Sequence, residues 1–179
     1  MIQQQIEDWL TGFIIEHDIC PFARRPWSRN LLRIIVVEDK EEEQLTKNLL
    51  QALEELVSTP RKELETSLVV IPNQFESFDD FWSYCEWVQE LLEESGVSGL
   101  LQVVGFHPAF RFAESEFEDQ ANYVNRCPYP LLHLLREESV TEAVAQYPDI
   151  SAIPERNALY LRRLSKATLE RIVYGHHGH

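Results

Sequence analysis

Two histidines, three arginines, two asparagines and an aspartate crowd into residues 105–136 of this chain, and a folding core asks for none of them. His107 is followed by a proline that stiffens its backbone, and its near-neutral titration suits proton transfer. His133 and Arg136 stand three residues apart, which on a helical turn would put them on one face. Arg126 and Arg136 offer the planar fork that grips a carboxylate or phosphate, and the amides of Asn122 and Asn125 could read neighbouring oxygens. The chemistry this suggests is proton transfer on an anionic metabolite by His107 or His133. His107, His133 and Asp119 are also ligand types that suit zinc or iron. No HxH or HExxH pair fixes two of them on one element, so a divalent metal is only a weak candidate.

A second cluster, CPFARRPWSRN at residues 20–30, places three arginines in a chain that is otherwise acidic. Arg24 and Arg25 beside Cys20 could lower its thiol pKa, making Cys20 a candidate nucleophile and Arg24 a candidate anion contact. The competing reading of Cys20 is a small core residue. The sequence contains no GxGxxG, no GxxxxGK[ST] and no GxSxG, so no nucleotide-cofactor motif and no hydrolase elbow is present.

These residues need a frame. Apolar runs at 31–38 (LLRIIVVE), 67–72 (SLVVIP) and 99–106 (GLLQVVGF) read as buried strands, the first as a central one. Between them, apolar stripes at helical spacing begin after the acidic turn at 39–44 and at the capping signal Ser77–Asp80. The expected fold is a single α/β domain over residues 1–174, with a β-α-β-α-β order. Its central sheet should be mostly parallel, of three or more strands, and flanked by helices. In such sheets ligands gather at the carboxyl ends of strands, here Glu38–Asp39, Pro72–Asn73 and Phe106–Pro108. A long functional loop follows the third strand. Within it, 109–113 reads as a short added strand, 114–129 as loop and 131–135 as a helical turn. A capping box at 139–142 opens a helical C-terminus, and an amphipathic helix covers residues 2–17. Residues 175–179 are expected to be a disordered, histidine-containing tail.

Composition bounds the partners. Thirty acidic residues against sixteen basic give a net charge of −14, which repels nucleic acid and anionic membranes. The amino terminus lacks a basic segment followed by an apolar one, no apolar run approaches a membrane span, and three separated cysteines suggest reduced thiols. A soluble cytoplasmic protein is expected, and the oligomeric state is not legible.

Three pieces of the chain, CPFA at 20–23, GFHP at 105–108 and NYVNRCPYPLLHLLRE at 122–137, resemble the bacterial and plastid DUF1415 family. The resemblance spans nearly the whole chain and would carry over onto Cys20, Pro21, Phe22, His107, Pro108, Asn122, Asn125, Arg126, Pro128, His133 and Arg136. It implies no activity, substrate or cofactor. Cys127 stands where the family usually has serine, which argues against it as a nucleophile or ligand. The leading expectation is a small-molecule enzyme of unresolved class. Its catalytic candidates are His107, His133 and Cys20; its anion-binding candidates are Asn122, Asn125, Arg126, Arg136 and Arg24. The alternatives are a non-catalytic binding module for a metabolite or protein, and a purely structural loop whose polar groups satisfy one another.

Overall fold

The computed structural model of the chain describes residues 1–147 and 149–175. Histidines 176, 177 and 179, and with them most of the expected tail, lie outside the described residues. Four strands form one sheet: β1 (Leu32–Val36), β2 (Thr66–Val70), β3 (Leu101–Phe106) and β4 (Leu131–Arg136). Their spatial order is β1-β2-β4-β3. β1 and β2 pair in parallel, whereas β4 runs antiparallel to both β2 and β3. The sheet is therefore mixed, where a mostly parallel one was expected.

The cause is the segment 131–136, which is a strand and not a helical turn. Its leucines are buried on both faces, and six residues between Pro130 and the following helix suit a strand inserted between two others. β1, expected to be central, is an edge strand and leaves Arg33 exposed. No strand forms at 109–113.

Side chains alternate across each strand, so the sheet has two distinct faces. One face carries Ile35, Val69, Val103, Leu132 and Leu134. It is covered by α3 (Glu42–Ser58) and α4 (Phe78–Glu94), whose buried stripes Leu45–Leu49–Ala52–Leu56 and Phe81–Tyr84–Val88–Leu92 complete one core. Ser77 caps α4, its hydroxyl accepting the Asp80 amide at 3.4 Å. Gly105 on β3 has no side chain because a Cβ there would lie 2.8 Å from the Cys85 sulfur and 3.1 Å from the Phe81 ring. Each fully buried leucine on these stripes stabilises the fold by roughly 1.5–3 kcal/mol.

The other face carries Leu32, Ile34, Thr66, Leu68, Val70, Gln102, Val104, Phe106, Leu131, His133 and Leu135. Part of it packs against α1 (Ile2–Trp9), the π-helical turn Leu10–Ile15 that continues α1, and α7 (Lys166–Tyr174). α6 (Ile153–Leu161) adds Leu161 to this core. Residues 20–30, expected to be a loop, include the short helix α2 (Arg24–Ser28), which tolerates Pro26 because its first turn needs no amide donor. The remaining cover is α5 (Glu137–Gln146). It starts two residues ahead of the expected capping box and buries none of its own residues. The sheet face beneath α5 is incompletely filled. Among the described residues, no helix is long and apolar enough to cross a membrane.

Candidate functional site

The incompletely filled face encloses a cavity of about 440 Å³, within the usual range for metabolite pockets. Its floor is the inward set of alternate residues: Leu32 on β1, Thr66 and Leu68 on β2, His133 and Leu135 on β4, and Gln102, Val104 and Phe106 on β3. Its roof is Trp9, Leu10 and Ile14 from the first helix, the stretch Cys20–Ala23, and Val140, Ala143 and Val144 from α5. The ligand position expected at the carboxyl ends of the parallel strands is otherwise employed. There Asn73 and Gln74 donate to the Glu38 and Asp39 carbonyls and tie two strand ends together.

Cys20 reaches the cavity because the first helix stops just before it. Asp18 adopts a left-handed conformation with φ of 52°, and the Ile19 amide turns back to the Ile14 carbonyl. α6 clamps this turn: Asn157 donates to the Ile19 carbonyl at 2.7 Å, and Arg156 binds the Asp18 carboxylate at 2.9 Å. Burial pushes the Cys20 thiol up, against the backbone amides of Phe22 and Ala23 that would lower it. The activating effect expected of the neighbouring arginines is absent, because Arg24 donates to the Ile15 carbonyl at 3.0 Å and Arg25 leans toward Glu65. Cys20 is a protonated thiol at neutral pH.

His133 stands on the cavity floor in the middle of the sheet. Its Nε2 lies 2.8 Å from the Thr66 hydroxyl, which donates its own proton to the Leu134 carbonyl at 2.7 Å. With that proton committed, Thr66 can only accept from His133, so the imidazole carries its hydrogen on Nε2 and a lone pair on Nδ1. Nδ1 has no partner among the described residues. Burial drives the His133 pKa down to about 4, so the ring is neutral.

Asn125 also lines the cavity, held by its amide donating to the Gly105 carbonyl at 3.2 Å. Cys20 is thus brought to the same cavity as Asn125 and His133, which lie more than 100 residues further along the chain.

The other candidates lie elsewhere. Although the His107 amide binds the Asn125 carbonyl at 3.1 Å, its ring points to the opposite face of the sheet, against Phe78 and Phe81. Its Nε2 donates to the Phe75 carbonyl at 2.8 Å and its Nδ1 accepts the Ala109 amide at 3.0 Å. Both nitrogens are taken and burial lowers its pKa, so His107 joins two loops as a neutral cross-link. Asn122, fully buried, accepts from the Phe112 amide and the Ser115 hydroxyl and donates to the Glu116 and Phe117 carbonyls. Arg126 lies between the rings of Phe117 and Tyr123, 4.7 and 4.6 Å from their centroids, and donates to the Phe110 and Phe117 carbonyls. Arg136, three residues along a strand from His133, projects from the opposite face and donates to the Leu64 and Thr59 carbonyls. Asp119 caps the 3₁₀ helix Gln120–Asn125 and binds Arg162 at 2.7 Å. That bond, more than the Ala121 amide, holds its carboxyl down at about 2. Among the described residues, no three histidine, cysteine, aspartate or glutamate side chains converge as a metal site.

One edge of the cavity is polar, and the pair at its centre, Arg61 and Glu65, was not singled out in the sequence. Glu65 is 6% exposed and accepts from Arg61 at 3.0 Å and from Ser139 at 3.3 Å, with Arg25 at 4.0 Å. Arg61 also reaches Glu142 at 2.8 Å. The available signal was the Arg61–Glu65 spacing of four. Arg25 and Arg61 line a second, shallower depression as well, together with Arg29, Leu31 and Lys62.

The chain belongs to the family described as protein of unknown function (DUF1415), whose model matches residues 1–171. No curated protein and no solved structure matches it.

Proposed function

We propose that this protein binds an anionic small molecule in the cavity on the sheet face, with His133, Cys20 and Asn125 as the polar groups that meet it. The observation that carries this reading is their convergence on one cavity bordered by arginines. A core needs no imidazole lone pair without a partner, whereas a ligand hydroxyl or a protonated acid could donate to His133 Nδ1. The Cys20 thiol and the Asn125 amide add a weak donor and a hydrogen-bonding edge.

Capture without turnover is the function these groups suit best. A general base works best when its pKa lies near the working pH, and burial holds His133 far below that. A protonated thiol is likewise a poor nucleophile. The catalytic reading is favoured by one feature, the sharing of a cavity by an imidazole lone pair and a thiol. A bound anion beside His133 would raise its pKa toward the useful range.

The test is a thermal-shift screen of carboxylates and phosphates on the full chain and on Ala143→Trp, a variant that fills the cavity from the exposed helix α5. Ligands that stabilise the native chain and not the variant support the reading. Stabilisation that is equal in the two overturns it. Mass spectrometry of the recovered ligand then decides between capture, which returns it unchanged, and turnover.

A further inference from the structure

Formal charge is segregated along this site. The floor and roof are walled by Leu10, Ile14, Leu32, Leu68, Val104 and Leu135, while the ionic groups gather at one edge around Glu65. Beyond that edge lies the depression of Arg25, Arg29, Arg61 and Lys62, which no carboxylate lines. Four of the sixteen basic residues of a chain with net charge −14 therefore share one surface feature that borders the cavity.

Arg61 is neutralised by Glu65 and Glu142, but Arg25 reaches Glu65 only at 4.0 Å. Neither Arg29 nor Lys62 makes an ion pair among the described residues. Exposed cations held together without counter-charges repel one another, and a bound anion would relieve this. A sugar or other polyhydroxylated body has more hydroxyls than the few polar side chains of this cavity can pair, and would leave most of them against the leucine walls at the cost of lost hydration.

We propose that the ligand is a single-chain amphiphile, its hydrocarbon lying on the sheet face with a hydroxyl along the chain to meet His133 Nδ1, and its carboxylate or phosphate head held by Arg25, Arg29 and Lys62. The proposal rests on the reading of the cavity as the ligand site and adds the ligand's chemical class. The volume of about 440 Å³ holds a chain of roughly ten to fourteen carbons if a methylene takes up about the 30 Å³ of a liquid water.

Isothermal titration calorimetry of the full chain with hexanoate, octanoate, decanoate and dodecanoate, each below its micelle concentration, tests this directly. Affinity should rise about fourfold for each methylene added. Dodecanol should bind more weakly than dodecanoate. The double variant Arg29→Gln/Lys62→Gln, exposed and remote from the core, should weaken dodecanoate by roughly three- to tenfold and leave dodecanol unchanged. Dodecyl phosphate separates the two head groups: the tighter of the two anions identifies the head, and either supports the proposal. Affinity that does not change with chain length, or that ignores the head charge and the double variant, overturns it. If inorganic phosphate binds in a way that Ala143→Trp abolishes while chain length has no effect, the amphiphile falls and the cavity reading stands. If dodecanoate binds the native chain and Ala143→Trp equally well, both fall.

Discussion

Replacing His133 with leucine should remove a specific part of the protein's sensitivity to acid. In the native chain burial lowers the His133 pKa from 6.5 to about 4, so between those values the unfolded chain binds a proton that the folded chain refuses. Stability contributed by the neutral ring is therefore complete above pH 6.5 and lost as pH falls through that window. At about 1.4 kcal/mol per pH unit, the loss reaches about 2 kcal/mol by pH 5 and about 3 kcal/mol by pH 4. Leucine is apolar and of similar size, and Thr66 keeps its bond to the Leu134 carbonyl, so the variant should differ little from the native chain at pH 7. Acidic side chains and His107 titrate in both proteins and cancel in the difference. The assay is urea unfolding followed by tryptophan fluorescence, from pH 7 down to pH 5, with a two-state fit at each step. The difference in unfolding free energy should swing toward the variant as pH falls. A difference that stays flat, or an imidazole NMR titration of His133 near 6.5, would refute the assignment of a neutral ring.

Three further outcomes follow from the packing. Gly105→Ala should destabilise the fold by about 1–3 kcal/mol, because its Cβ meets Cys85 and Phe81, and Cys85→Ala in the same chain should recover part of the loss; strictly additive urea midpoints would contradict this. Arg126→Lys should cost about 2–3 kcal/mol, since a lysine cannot make both carbonyl bonds while stacked between Phe117 and Tyr123, yet cavity ligands should bind as before. Iodoacetamide should label Cys20 more slowly at pH 7 than it labels the unfolded chain, with the rate climbing as pH rises toward the thiol pKa; rapid labelling at pH 7 would overturn the protonated thiol.

The α/β class was legible because its signals are local. Ser77 with Asp80 marks the start of α4, and the leucine spacing of α3 reports its buried stripe without any knowledge of what it packs against. β4 was not legible, because LLHLLR satisfies a helical spacing and a doubly buried strand equally well. Only its neighbours decide between them, and those are set by pairings such as Thr66 with Leu135, distant in sequence. That one misreading moves the site. On a helix His133 and Arg136 share a face; on a strand, three residues apart, they face opposite layers, and Arg136 becomes a clasp for the Leu64 and Thr59 carbonyls. The edge position of β1 was hidden for the same reason, since LLRIIVVE looks equally buried whether a second neighbour is present or not.

The density of polar residues after β3 identified the stretch that needed explaining, but density alone cannot distinguish a site from a brace. A long connection over the surface must satisfy its own carbonyls, and Asn122, Arg126 and His107 do so, each bonded to backbone groups of neighbouring loops. A group used in this way is committed to holding the loop. The useful criterion is the reverse: a polar side chain in a central strand whose remaining valence is free. His133 meets it, since Thr66 occupies only Nε2, and the cavity gives its Nδ1 somewhere to act. A leucine at that position would extend the apolar floor and offer the cavity no acceptor. An imidazole there makes physical sense when something enters the cavity to pair with it.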